Sequence, residues 1–102
     1  MKIYRPTWVE IDLEHILYNY HVAKSYAPDK DIIPVIKADA YGHGAIEVMS
    51  FLYARGVRYF AVSTLEEAIE LRDENQEIDI LMMGPIMKSQ LEIAASKNIE
   101  IT

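Results

Sequence analysis

Apolar and polar positions alternate between two rhythms along this chain. Leu13, Ile16, Leu17, Tyr20, Ala23 and Ala27 recur at helical spacing, with Asp12 at the N-cap position and Pro28 stopping the helix. Before them, Thr7, Trp8, Val9 and Ile11 read as a short strand whose apolar run Glu10 breaks. Ile32, Ile33, Val35 and Ile36 then predict a buried strand. Pro34 has no N–H and belongs near its start or at an edge. Residues 38–44 form a loop with two glycines. Ala45 to Arg55 follows as a helix, with Ile46, Met49, Leu52 and Tyr53 on one face and Gly56 past its end.

The same alternation continues to the last residue. Tyr59 to Ser63 is a strand, and Thr64 and Glu67 form a capping box that opens a helix to about Asn75. Ile78 to Met83 is a third strand, closed by Gly84 and Pro85. Ser89 and Glu92 predict a second capping box and a helix to about Lys97, and Ile99 to Thr102 begins a fourth strand. The order β-α-β-α-β-α-β argues for parallel strands joined by right-handed crossovers. The strand period of about 20 residues is shared with leucine-rich repeats, but their L-x-x-L-x-L pattern is missing.

Composition narrows the function classes. The 102 residues are 51% hydrophobic and 25% charged, which fits one small globular domain. A net charge of −6 is the wrong sign for nucleic acid or an anionic membrane surface. With no cysteine, disulfide scaffolds, thiolate nucleophiles and Cys-ligated zinc are excluded. No apolar run is long enough to span a membrane, and Met1 to Pro6 lacks a signal-peptide core, so a cytoplasmic location is expected.

In α/β folds ligands gather at the carboxyl ends of strands, and Lys37 stands at such an end. It reads either as a lysine extending its head out of the core or as a desolvated amine suited to Schiff-base chemistry. Gly42-His43-Gly44-Ala45-Ile46-Glu47 follows a strand and opens a helix, a setting that invites a phosphate at the helix N-terminus. As a dinucleotide fingerprint it fails, because Glu47 replaces the third glycine. The bland reading is a turn with two positive-φ glycines. His15 and His21 do not share a helix face, so no metal site is expected. Glu66, Glu67, Glu70, Asp73 and Glu74 read as a solvated acidic face, and Tyr18, Tyr20 and Tyr26 as packing residues.

The segment Val35-Ile36-Lys37-Ala38-Asp39-Ala40-Tyr41-Gly42-His43-Gly44 closely resembles the cofactor-lysine signature of bacterial alanine racemases. Residues 7–13, Leu65-Glu66-Glu67-Ala68 with Leu71-Arg72, and Ile80 to Gly84 resemble the same family's opening strand, second barrel helix and third strand end. The resemblance covers the whole chain but only the family's N-terminal portion. It implies the N-terminal half of a TIM-like (β/α)8 barrel, preceded by a short strand and helix. The rest of the barrel and the C-terminal β domain are then expected to be absent from residues 1–102.

The resemblance further implies a homodimeric racemase that uses pyridoxal 5′-phosphate to interconvert L- and D-alanine for cell-wall peptidoglycan. Lys37 would be the Schiff-base lysine and one of two catalytic bases. Tyr41 would contact the cofactor phosphate, Val35 would face the cofactor, and Met83 would line its pocket where the family usually has leucine. The second base, a tyrosine, would come from the partner subunit's C-terminal domain. A serine racemase of the same architecture, a related pyridoxal phosphate protein without racemase activity, and a non-catalytic half-barrel fragment remain as alternatives.

Overall fold

The computed structural model describes residues 11–102, so the opening strand expected at residues 7–11 falls outside them but for Ile11. Helix α1 (Leu13–Tyr26) starts where Asp12 was expected to cap it. The Asp12 carboxylate accepts the Glu14 and His15 N–H groups at 3.0 and 3.3 Å. Leu13, Ile16, Leu17 and Tyr20 turn toward the core. Tyr18 and Tyr26 do not: both are exposed, because they lie on the helix face away from that apolar stripe.

The strand expected over Ile32 to Ile36 contracts to a single parallel bridge, Val35 to Ala61. Ile36 donates its N–H to the Ala61 carbonyl, and Ala61 donates to the Pro34 carbonyl, both at 2.9 Å. Pro34 contributes a carbonyl and nothing else, so the ladder does not extend through it. The chain then winds through a single turn, α2 (Lys37–Tyr41), into α3 (Ala45–Tyr53), which buries Val48, Met49 and Leu52.

Strands β1 (Tyr59–Val62), β2 (Asp79–Met82) and β3 (Ile99–Ile101) form one parallel sheet in sequence order. Helix α4 (Leu65–Glu74) connects the first two strands. A 3-10 turn at Lys88–Gln90 and helix α5 (Leu91–Ser96) connect the last two. The capping box at Thr64 and Glu67 is present. The one expected at Ser89 and Glu92 is displaced: Ser89 lies inside the 3-10 turn, and Gln90 accepts the Met87 N–H at 3.1 Å. The spacing of three residues is kept, but it begins two residues earlier.

The register gives the sheet two unlike faces. Phe60, Ile80 and Ile99 form one row and Val62 and Met82 part of the next, all buried beneath α3, α4 and α5 with Leu65, Ala68, Leu71 and Ala94. Each large apolar side chain so buried contributes roughly 1.5–3 kcal/mol. On the other face lie Val35, Ala61, Leu81 and Glu100 in one row, with Tyr59 and Asp79 beyond them. No helix of the described residues is long and apolar enough to cross a membrane.

Candidate active site

Lys37 stands at the carboxyl rim of the sheet as the first residue of α2, and its side chain is half-buried. Among the described residues it makes no ion pair. The segment after Lys37 departs from the expected glycine loop. Ala38, Asp39, Ala40 and Tyr41 take φ values of 51°, 55°, 55° and 56°, so α2 winds left-handed before Gly42 and Gly44 continue at 90° and 89°. The two positive-φ glycines were legible in the sequence, and the four residues before Gly42 were not. For L-residues this conformation costs roughly 1–2 kcal/mol each. Such strain persists only where surrounding contacts over-determine it.

Those contacts are hydrogen bonds. Ala40 donates to the Ile36 carbonyl at 3.0 Å, Gly42 and Gly44 to the Asp39 carbonyl at 3.1 and 2.9 Å, and His43 to the Ala40 carbonyl at 3.1 Å. The His43 ring Nδ1 is 2.8 Å from the same Ala40 oxygen. The Asp39 carboxylate accepts the Ala45 N–H at 2.8 Å. An acidic side chain of the turn itself thus takes the donor at the start of α3 where the sequence invited a phosphate.

One further bond reaches the turn from α4. Glu67 Oε2 accepts the Ala38 N–H at 2.5 Å, while its Oε1 accepts the Ser63 and Thr64 N–H groups at 2.9 and 3.0 Å. Its own N–H donates to the Thr64 hydroxyl at 3.2 Å. Burial alone would raise the Glu67 pKa. The Ala38, Ser63 and Thr64 N–H groups, with the Thr64 side chain, outweigh it and hold the carboxyl below the ordinary glutamate value. Glu67 therefore leaves the solvated acidic face on which the sequence placed it. The capping spacing identified one of its three backbone partners, Thr64; Ser63 lies outside the box, and Ala38, 29 residues upstream, has no local signal.

The other expected site residues lie along the same rim. Val35 and Leu81 flank Ala61 in one row, so Lys37, Ser63 and Met83 each come two residues further along their segments. Val35 is 38% exposed and Met83 37%, on a sheet whose opposite face is closed. Tyr41 is 62% exposed at the end of the left-handed turn. Met83 and Gly84 donate to the Val62 and Ser63 carbonyls at 2.8 and 3.1 Å. A Cβ on Gly84 would lie 2.1 Å from the Ser63 oxygen, so this approach of two loops requires glycine. The rim thus offers a primary amine, a phenol and uncovered apolar side chains, on loops tied to one another through backbone bonds.

Comparison with known proteins finds relatives along nearly the whole chain. The family model described as alanine racemase, N-terminal domain, matches residues 11–102. The alanine racemase of Staphylococcus carnosus is 44% identical over 101 residues, which is 99% of this chain and 26% of that protein. The crystal structure of alanine racemase from Bartonella henselae with covalently bound pyridoxal phosphate superposes with a TM-score of 0.82 at 29% identity, over 89% of this chain and 26% of that one. Histidine racemase from Leuconostoc mesenteroides superposes with a TM-score of 0.78 at 31% identity, over 85% of this chain and 23% of that one. The chain therefore spans about a quarter of the length of the relatives it matches.

Proposed function

The chain belongs to the alanine racemase N-terminal domain family, and from that premise we propose that it carries the cofactor lysine of a pyridoxal phosphate-dependent alanine racemase. The observation that carries this reading is Lys37 itself. A half-buried amine without an ion pair among the described residues projects from the carboxyl rim of a parallel sheet, on a turn held in an otherwise costly conformation. The donor set fits the cofactor: an amine to bond it, a phenol to hydrogen-bond a phosphate, and exposed Val35 and Met83 to pack against a planar ring. When bound, pyridoxal phosphate supplies an electron sink that acidifies the Cα–H bond of an amino acid.

The chain's own residues then have distinct tasks. Lys37 Nζ would hold the cofactor covalently and carry a proton at the substrate's Cα. Tyr41 would offer its phenolic O–H to the cofactor phosphate. Val35 and Met83 would supply apolar surface that excludes water. In this reading the parallel sheet opens an eight-stranded barrel whose later strands, together with a partner subunit in a homodimer, provide the second base and the remaining cofactor contacts. The product, D-alanine, feeds cell-wall peptidoglycan in the cytoplasm. The histidine racemase among the structural neighbours favours a second reading, in which the same segment serves another amino acid.

The test has two arms on the full-length protein. Incubation with pyridoxal phosphate and then borohydride is expected to leave one pyridoxyl adduct, on Lys37. Lys37→Ala removes the adduct and lowers alanine racemisation about 10²–10⁴-fold or more. An adduct on another lysine overturns the assignment. Parallel assays with L-alanine, L-serine and L-histidine decide the substrate.

A further inference from the structure

We propose that Glu67 is a positioning residue for Lys37, acting through the peptide bond that joins Lys37 to Ala38. The proposal rests on the reading of Lys37 as the cofactor amine. The segment before Lys37 is anchored to β1 through the paired bonds of Ile36 and Pro34 with Ala61. The segment after it is anchored to the first turn of α4 through the bond from Ala38 to Glu67. Both anchors belong to one strand-helix unit, β1 and α4, and Lys37 is suspended between them. The remaining hydrogen bonds of the turn run among residues 36 to 45 and move with it.

The Ala38 N–H is thus the tie that fixes the turn to its neighbours on the far side of Lys37. Left-handed winding begins at Ala38, with φ of 51°. An alanine released from its partner relaxes toward the right-handed region, and the Lys37–Ala38 peptide plane rotates with it. A carboxylate suits the task because it only accepts, with two oxygens. One oxygen holds the Ser63 and Thr64 N–H groups and the other holds Ala38. An amide cannot do both. With its oxygen on Ser63 and Thr64, a glutamine turns its NH2 group against the Ala38 N–H.

The experiment compares full-length wild type with Glu67→Gln and Thr64→Val. Thr64→Val weakens the same helix cap but leaves the Ala38 bond in place. The first readout, on cofactor-free protein, is amide hydrogen exchange in the peptide that spans Ala38. The second is the rate at which Lys37 is trapped by pyridoxal phosphate and borohydride. Glu67→Gln is expected to exchange Ala38 faster by roughly tenfold or more, the loss of a charge-assisted hydrogen bond, and to trap Lys37 more slowly. Thr64→Val behaves as wild type in both. Should Glu67→Gln fail to fold, Glu67→Asp serves instead, since it keeps the charge and withdraws it by one methylene from Ala38. The proposal is overturned if both Glu67 variants match wild type, or if Thr64→Val reproduces their changes. A wild-type protein that captures no cofactor on Lys37 overturns the functional reading and this proposal with it. That result is distinct from capture at equal rates in wild type and variants.

Discussion

In the first turn of α4 the Glu67 carboxylate gathers backbone N–H groups; in its last turn the Arg72 guanidinium gathers backbone carbonyls. Arg72 is 5% exposed and donates to Lys97, Asn98 and Ile78 at 2.9, 3.0 and 2.7 Å and to Asn75 at 3.3 Å. Each charge sits at the helix end whose dipole favours it. The partners differ in kind. Ile78 and Asn98 immediately precede β2 and β3, so Arg72 fixes where strands begin. Ser63, Thr64 and Ala38 lie beyond strand ends, so Glu67 fixes where loops lead. One helix thus serves stability at the amino end of the sheet and site geometry at the carboxyl end, the division seen generally in parallel α/β folds.

The largest expected effect breaks the amino end. Arg72→Leu keeps the aliphatic volume but leaves buried carbonyls without donors, and lowers the unfolding free energy by about 3 kcal/mol or more. Urea denaturation measures it. The contrast fails if this loss is no greater than that of Glu67→Gln.

A smaller effect is expected at the carboxyl end. Gly84→Ala presses a methyl against the Ser63 carbonyl and costs about 1–3 kcal/mol, read from thermal unfolding, while slowing cofactor capture at Lys37. A Gly84→Ala protein with normal melting and normal capture would show that the two loops can part without consequence.

Acid gives the smallest and most local effect. The Glu67 pKa is lowered on folding, so its stabilisation is complete above the unfolded value of about 4.3 and fades as pH falls through the folded value. Wild type should therefore lose more stability than Glu67→Gln between about pH 6 and pH 3. Parallel stability curves for the two proteins would show that the carboxylate charge contributes nothing there.

The sequence and the structure agree where the signal is local. Helical spacing located α1, α3 and α4, and Thr64 with Glu67 marked the start of α4 correctly because a capping box is complete within four residues. The strand at Ile32 to Ile36 was over-read, since a run of β-branched residues does not reveal how little pairing Pro34 permits. Ser89 and Glu92 had the right spacing for a cap but lost to Gln90, which caps from two residues earlier. Lys37, Tyr41, Val35 and Met83 were named by resemblance; in the structure Val35 bridges Ala61, and Tyr41 and Met83 are exposed. The hold on the rim was invisible, because Ala38 and Glu67 meet across 29 residues and no glycine announces the left-handed turn.

That turn also constrains what evolution and chemistry can put there. From Ala38 to Tyr41 the backbone has the hand preferred by mirror-image amino acids, so a D-alanine at position 38 would carry no backbone penalty there. Among the L-residues, valine, isoleucine and threonine are the worst suited and asparagine and aspartate the best, while achiral glycine fits freely. The short, unbranched run Ala38-Asp39-Ala40 is therefore less a choice of side chains than a narrow window left open by chirality.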